Sequence, residues 1–122
     1  FPNTHFAYGD IGMTERVLDN LLDNAIRHTP TKGKIVVCAT TEDDKISVSV
    51  RDSGSGIAAE HLAHIFDPFY RGDSTDKSSL HAGLGLAIAK RIMDMQRGTI
   101  SVANVAGGSG SIFSFQLPLH RA

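Results

Sequence analysis

Three Gly-x-Gly pairs punctuate the chain, at Gly54/Gly56, Gly83/Gly85 and Gly108/Gly110. Singly, each fits a tight turn as well as a ligand site, but their surroundings differ. Gly83-Leu84-Gly85-Leu86 is expected to open a helix, where free backbone amides and the helix dipole would hold an anion such as phosphate. It is not a Walker loop, because no Gly-Lys-Ser/Thr follows. It is not a dinucleotide fingerprint either, because Ile88 takes the third glycine position and no strand leads directly into it. Asp52 stands before Ser53-Gly54-Ser55-Gly56-Ile57. A carboxylate there can accept from an exocyclic amine while the glycines let a flat ring approach the backbone. An aspartate capping a turn is an equal reading of this segment alone. Asn20, Asn24 and Arg27/His28 recur at i, i+4 and i+7/i+8, placing two amides and basic groups along one helix flank. Amide carbonyls are hard oxygen ligands suited to Mg²⁺; the other reading is a solvated polar flank.

These residues need elements to hold them. Residues 4–8 are expected to form a short strand, and Asp10 is a good N-cap for a helix over 11–28 that ends before Pro30 and Lys32-Gly33. Val17, Leu18, Leu21, Leu22, Ala25 and Ile26 form its expected apolar stripe. Two strands follow over 34–40 and 45–51, joined at Glu42-Asp43-Asp44. In the second, Ile46, Val48 and Val50 alternate with Ser47 and Ser49. After Asp52 the pattern breaks into loops, with a short helix expected over 60–66. A second long helix should begin near residue 84, carrying Leu84, Ile88, Ile92 and Met95 on one side and Gly98 as its C-cap. Strands over 99–105 and 112–117 complete the pattern. Five strands and two long helices imply a two-layer α/β sandwich, its ligand site in the interrupted middle.

Taken in order, these segments resemble one family. Asn20-Leu21-Leu22-Asp23-Asn24-Ala25 looks like the N box of bacterial two-component sensor histidine kinases. Asp52-Ser53-Gly54-Ser55-Gly56-Ile57 is similar to their G1 box, and Phe66-Asp67-Pro68-Phe69-Tyr70-Arg71 to the F box. Gly83-Leu84-Gly85-Leu86-Ala87-Ile88 resembles the G2 box, and Gly108-Ser109-Gly110-Ser111-Ile112-Phe113 the last glycine motif. The five stand in family order, over about residues 10–119.

The resemblance implies the ATP-binding catalytic domain of such a kinase. The fold would be α+β, with a mixed sheet of about five strands covered on one face by helices. ATP and Mg²⁺ would be its ligands and ADP its product. Asn20, Asn24 and Arg27 would be the catalytic set, with Asn24 the main Mg²⁺ ligand, Asn20 beside it and Arg27 facing the phosphates. His28 would lie against adenine or ribose. Asp52 would accept from the adenine amino group, Gly54, Gly56 and Ile57 would belong to the base pocket, and Ser111 would reach the base through water. Gly83, Leu84, Gly85 and Leu86 would form the triphosphate segment. Phe66 and Phe69 would anchor their loop by packing, and Arg71 would either anchor it or meet the nucleotide. Residues 72–82, small and polar, would form a mobile lid, where Lys77 could approach the γ-phosphate. Gln96-Arg97-Gly98 departs from the His-Gly-Gly common in the family, which alters a helix end. The acceptor histidine would stand on a separate dimerisation domain of the same parent protein, with a response regulator served indirectly. Hydrolytic members of the wider superfamily carry Glu four residues before the Mg²⁺ asparagine, where this chain has Asn20.

Composition sets the remaining bounds. With 122 residues and 41% hydrophobic content, the chain fits one domain, 1–122, expected to be a fragment of a longer protein. A formal net charge of −1 provides no footprint for nucleic acid or an anionic membrane. Cys38 is the only cysteine and sits in an apolar run, so it is expected to be a buried thiol in a reducing compartment. No apolar run approaches the roughly 18 residues of a membrane span. A cytoplasmic domain is expected, its parent anchored in the bacterial inner membrane.

Overall fold

In the computed structural model, residues 6–7, 11–42, 44–68, 79–105 and 110–120 are described. The chain runs β1 (Phe6–Ala7), α1 (Ile11–His28), β2 (Ile35–Glu42), β3 (Lys45–Asp52), α2 (Ala59–Leu62), α3 (Ser79–Met95), β4 (Thr99–Asn104) and β5 (Ser111–His120). α1 has the expected bounds. It stops at Thr29-Pro30, with the Thr29 hydroxyl donating to the Ala25 carbonyl at 2.6 Å, because proline cannot continue the ladder.

β5 is the central strand. It lies against β3 on one side and against β4 and β1 on the other, and β2 forms the far edge. All described pairings are antiparallel, where a mixed sheet was expected. The reason is local: β2–β3 and β4–β5 follow each other directly as antiparallel pairs, and β4, which returns after α3 in the direction of β3, is kept from pairing with it by β5 between them. The α+β class, the five strands and the helical cover stand as expected.

Period-2 alternation turns one sheet face inward. Ile46 pairs with Leu117, Val48 with Phe115 and Val50 with Phe113, while Val102 joins Phe113 from β4. α1 and α3 cover these rows, so Val17, Leu21 and Ala25 share a core with Leu86, Ala89, Ile92 and Met93. Burying Phe113 alone stabilises the fold by roughly 1.5–3 kcal/mol. Phe66 reaches the same core edge-on to Phe113, with ring centroids 6.0 Å apart. That is the packing role expected for it; Phe69 and Arg71 lie outside the described residues.

Four local expectations need correction. On α1 the buried stripe runs Val17, Leu21, Asn24, Ala25, and Ile26 is 63% exposed; the stripe turns through Asn24 and leaves Ile26 outside. On α3 the buried positions are Leu86, Ala89, Ile92 and Met93, whereas Leu84 and Met95 are exposed. The short helix spans Ala59–Leu62 and gives way to turns. Cys38 is exposed, because β2 is an edge strand that the helices do not cover.

The end of α3 explains the departure at Gln96-Arg97-Gly98. The Gly98 amide donates to Met93 O at 2.8 Å and the Arg97 amide to Asp94 O at 3.3 Å, the paired bonds of a Schellman cap. Arg97 occupies the left-handed position, at φ 60°, which costs a residue with a Cβ about 1–2 kcal/mol. Gly98 follows it and is not itself the left-handed residue.

Candidate functional site

The inward alternation of β3 does not stop at Val50. Asp52 continues it, so a carboxylate lies on the helix-facing side at the end of an otherwise apolar row. It is 2% exposed. A buried carboxylate needs donors, and two are present: the Gly54 amide donates to Oδ1 at 2.9 Å and the Ser111 hydroxyl to Oδ2 at 2.7 Å. Ser111 is itself 3% exposed. Both bonds hold the carboxylate in place while leaving it further lone pairs.

Close backbone approach makes this possible. A Cβ on Gly54 would overlap the His28 carbonyl, and one on Gly110, at φ +113°, would overlap the Asp52 carbonyl. Neither position admits another residue without displacing backbone. The first contact seats the C-terminus of α1 on the loop after β3; the second seats Gly110, just before β5, on Asp52.

Along α1 the expected flank divides. Asn24 is 4% exposed, and among the described residues its amide has no hydrogen-bond partner. Among the described residues no sealed side-chain polar atom lacks a partner, so that amide borders open space. This combination, a residue held in the core with its oxygen left over, fits a ligand to a hard cation. The Asn20 amide nitrogen donates to Gly85 O at 3.1 Å and ties α1 to α3; its oxygen is not used by that bond. Arg27 pairs with Asp23 at 3.1 Å across one helical turn. The His28 side chain is exposed.

The glycine segment of α3 differs from expectation. The helix begins at Ser79, so Gly83, Leu84 and Gly85 lie inside its first turns and are not its free N-terminus. Ser79-Leu80-His81-Ala82 contains no breaker, and two glycines cost only about 1 kcal/mol each. Residues 79–82, expected in the lid, are therefore helical, and 72–78 lie outside the described residues. Leu84 is 37% exposed, whereas Leu86 is buried in the core.

One residue of the site escaped the sequence reading. Asn104, at the end of β4, accepts from the Ile57 amide and donates to the Ile57 carbonyl, both at 2.7 Å. The available signal was its parity: in β4, Ile100 and Val102 face inward, and Asn104 continues that row. Asn104 pairs with Ser111 across the hairpin. The apolar rows of three strands thus end together in Asp52, Ser111 and Asn104.

Residues 9–121 match the family described as histidine kinase-, DNA gyrase B- and HSP90-like ATPase. The chain is 45% identical over 102 residues to the sensor histidine kinase CusS of Escherichia coli K12, covering 83% of this chain and 21% of CusS. Among solved structures, the mycobacterial sensor histidine kinase MprB superposes with a TM-score of 0.82 at 27% identity, over 95% of this chain and 78% of that one. Full-length ShkA in complex with AMPPNP gives 0.76 at 32% identity, over 91% of this chain and 22% of ShkA.

Proposed function

Because the chain belongs to the histidine kinase-, DNA gyrase B- and HSP90-like ATPase family, we propose that it binds Mg-ATP and donates the γ-phosphoryl group to a histidine on a separate dimerisation domain. The observation that carries this reading is the buried Asp52 carboxylate, oriented by Gly54 and Ser111 with acceptor capacity left over, at the start of the irregular loop over 53–58. An exocyclic amine such as that of adenine satisfies the remaining acceptor capacity of such a group; a keto group in its place would meet acceptor with acceptor.

Phosphoryl transfer asks the protein for positioning and charge stabilisation more than for covalent chemistry. Asn24, with Asn20 one turn before it, would hold Mg²⁺, which when bound neutralises phosphate charge. Arg27, released from Asp23, and the exposed face of α3 at Leu84 lie on the elements flanking that position. Gly56 and Ile57 complete the base pocket. Asn20 is not a base near neutral pH, and its amide is already engaged with Gly85. A water-activating carboxylate is absent from this position, which favours transfer to an imidazole over hydrolysis. An imidazole brings its own lone pair.

The relatives are much longer than this chain. The phosphoacceptor domain, a response regulator downstream and a cytoplasmic position in a membrane-anchored parent therefore belong to this proposal. Among the described residues no helix is long and apolar enough to cross a membrane. Calorimetry with Mg-ADP and Mg-GDP tests the binding half: ADP should bind and GDP should bind at least tenfold more weakly, as loss of one charge-assisted hydrogen bond requires. Equal affinities would refute the role of Asp52.

A further inference from the structure

We propose that Asn104 is a positioning residue for base recognition: it acts through Ile57 and fixes the loop that follows Asp52. The inference rests on the nucleotide-binding reading above and adds a residue outside the five glycine, asparagine and phenylalanine motifs.

The geometry is that of a borrowed strand. A side-chain amide offers one donor and one acceptor in a plane, as a peptide group does. Asn104 spends both on the same residue, accepting from Ile57 N and donating to Ile57 O at 2.7 Å each. Ile57 thereby receives the pairing that a neighbouring strand would give, although it lies in a loop with no regular structure from Ser53 to Ala58. Gly56, at φ +82°, approaches so closely that a Cβ there would stand 3.0 Å from Asn104 Oδ1 and 3.4 Å from Gly110 O.

The loop is therefore gripped at both ends by one cross-strand pair. Ser111 holds Asp52 at its start, and Asn104, the register partner of Ser111, holds Ile57 at its end. A base seated between the carboxylate and the Ile57 side chain would find both walls referred to the same hairpin. Without Asn104, the Asp52 end would remain fixed while Ile57 lost its tether. Gly54 and Gly56 could then let the far wall move. Affinity for the base should fall, and so should discrimination between bases, while the sheet and its core stay unchanged.

The test compares wild type with Asn104→Ala and Asn104→Ser by calorimetry with Mg-ADP and Mg-GDP, alongside amide exchange. Serine keeps a hydroxyl that can serve Ile57 N or O but not both. Expected results are a roughly tenfold weaker ADP affinity for alanine, a smaller loss for serine, and a narrowed ADP/GDP ratio in both. Exchange at Ile57 should quicken, with Val50 and Phe113 unaltered. Faster exchange at Ile57 with ADP affinity and the ADP/GDP ratio unchanged would overturn the proposal, since Asn104 would then be a structural clamp alone. Should alanine fail to fold, the serine variant decides by the same two readouts. No ADP binding by the wild-type protein would instead refute the nucleotide reading itself.

Discussion

Replacing Asp52 should separate its two tasks. In the wild type its two oxygens satisfy two buried donors, Gly54 N–H and the Ser111 hydroxyl. Asp52→Ala removes both acceptors at once. Each orphaned buried donor costs about 1–3 kcal/mol, so the variant should lose roughly 2–6 kcal/mol of folding stability even without nucleotide. That is a large share of the about 5–15 kcal/mol typical of a domain, and alanine therefore confounds folding with binding. Asp52→Asn is the cleaner perturbation. Its oxygen can still face Gly54, and its NH₂ can face Ser111, whose hydroxyl turns to accept. Stability should stay within about 1 kcal/mol of wild type, because each pairing is replaced by a neutral one. Binding should suffer more: a neutral acceptor replaces a charged one, a difference of about 1–1.5 kcal/mol, or a five- to tenfold weaker affinity for ADP. Urea denaturation without ligand and calorimetry with ADP measure the two effects separately. An alanine variant as stable as wild type would refute the buried clamp. An asparagine variant with unchanged ADP affinity would refute the base contact.

Arg97→Gly should stabilise the protein by about 0.5–1 kcal/mol in urea denaturation, since Arg97 holds a left-handed conformation that glycine adopts without a Cβ penalty; a lower midpoint would contradict the cap geometry. Cys38 is exposed on edge strand β2 and should react fully with an aromatic disulfide reagent in native buffer, whereas reaction only after unfolding would mean that this edge is covered. ATP turnover by the unmutated chain should be barely measurable although nucleotide binds, since general-base help of about 10²–10⁴-fold has no residue to supply it at Asn20; rapid phosphate release would reveal another base.

The fold was readable wherever one residue pattern met one environment. α1 has a continuous periodic stripe, a proline stop and the expected bounds, and the β3 alternation marked Ile46, Val48 and Val50 as one face, which the structure sets beside Leu117, Phe115 and Phe113. What escaped depended on tertiary neighbours. Cys38 and Val37 have the composition of a buried strand, yet β2 has only β3 beside it. Leu84 and Met95 have core-type side chains, but the side of α3 that packs is set by α1 and the sheet. The helix start at Ser79 was hidden because a glycine pair suggests a terminus, although a helix can run through it at modest cost.

Of the site, Asp52, Ser111 and Asn24 could be picked from their motifs, and the structure adds why each is held. Asn104 could not be picked from a motif, because its partner Ile57 lies far away in sequence. Only its place at the end of an inward row marked it.

Incubating this chain with γ-labelled Mg-ATP and the dimerisation domain of its own parent protein tests phosphoryl donation itself. Acid-labile, base-stable label should appear on a histidine of that domain and not on this chain alone. Stable label on this chain, or none on a dimerisation domain that is folded and dimeric while ATP is bound, would contradict the assignment of a phosphoryl donor.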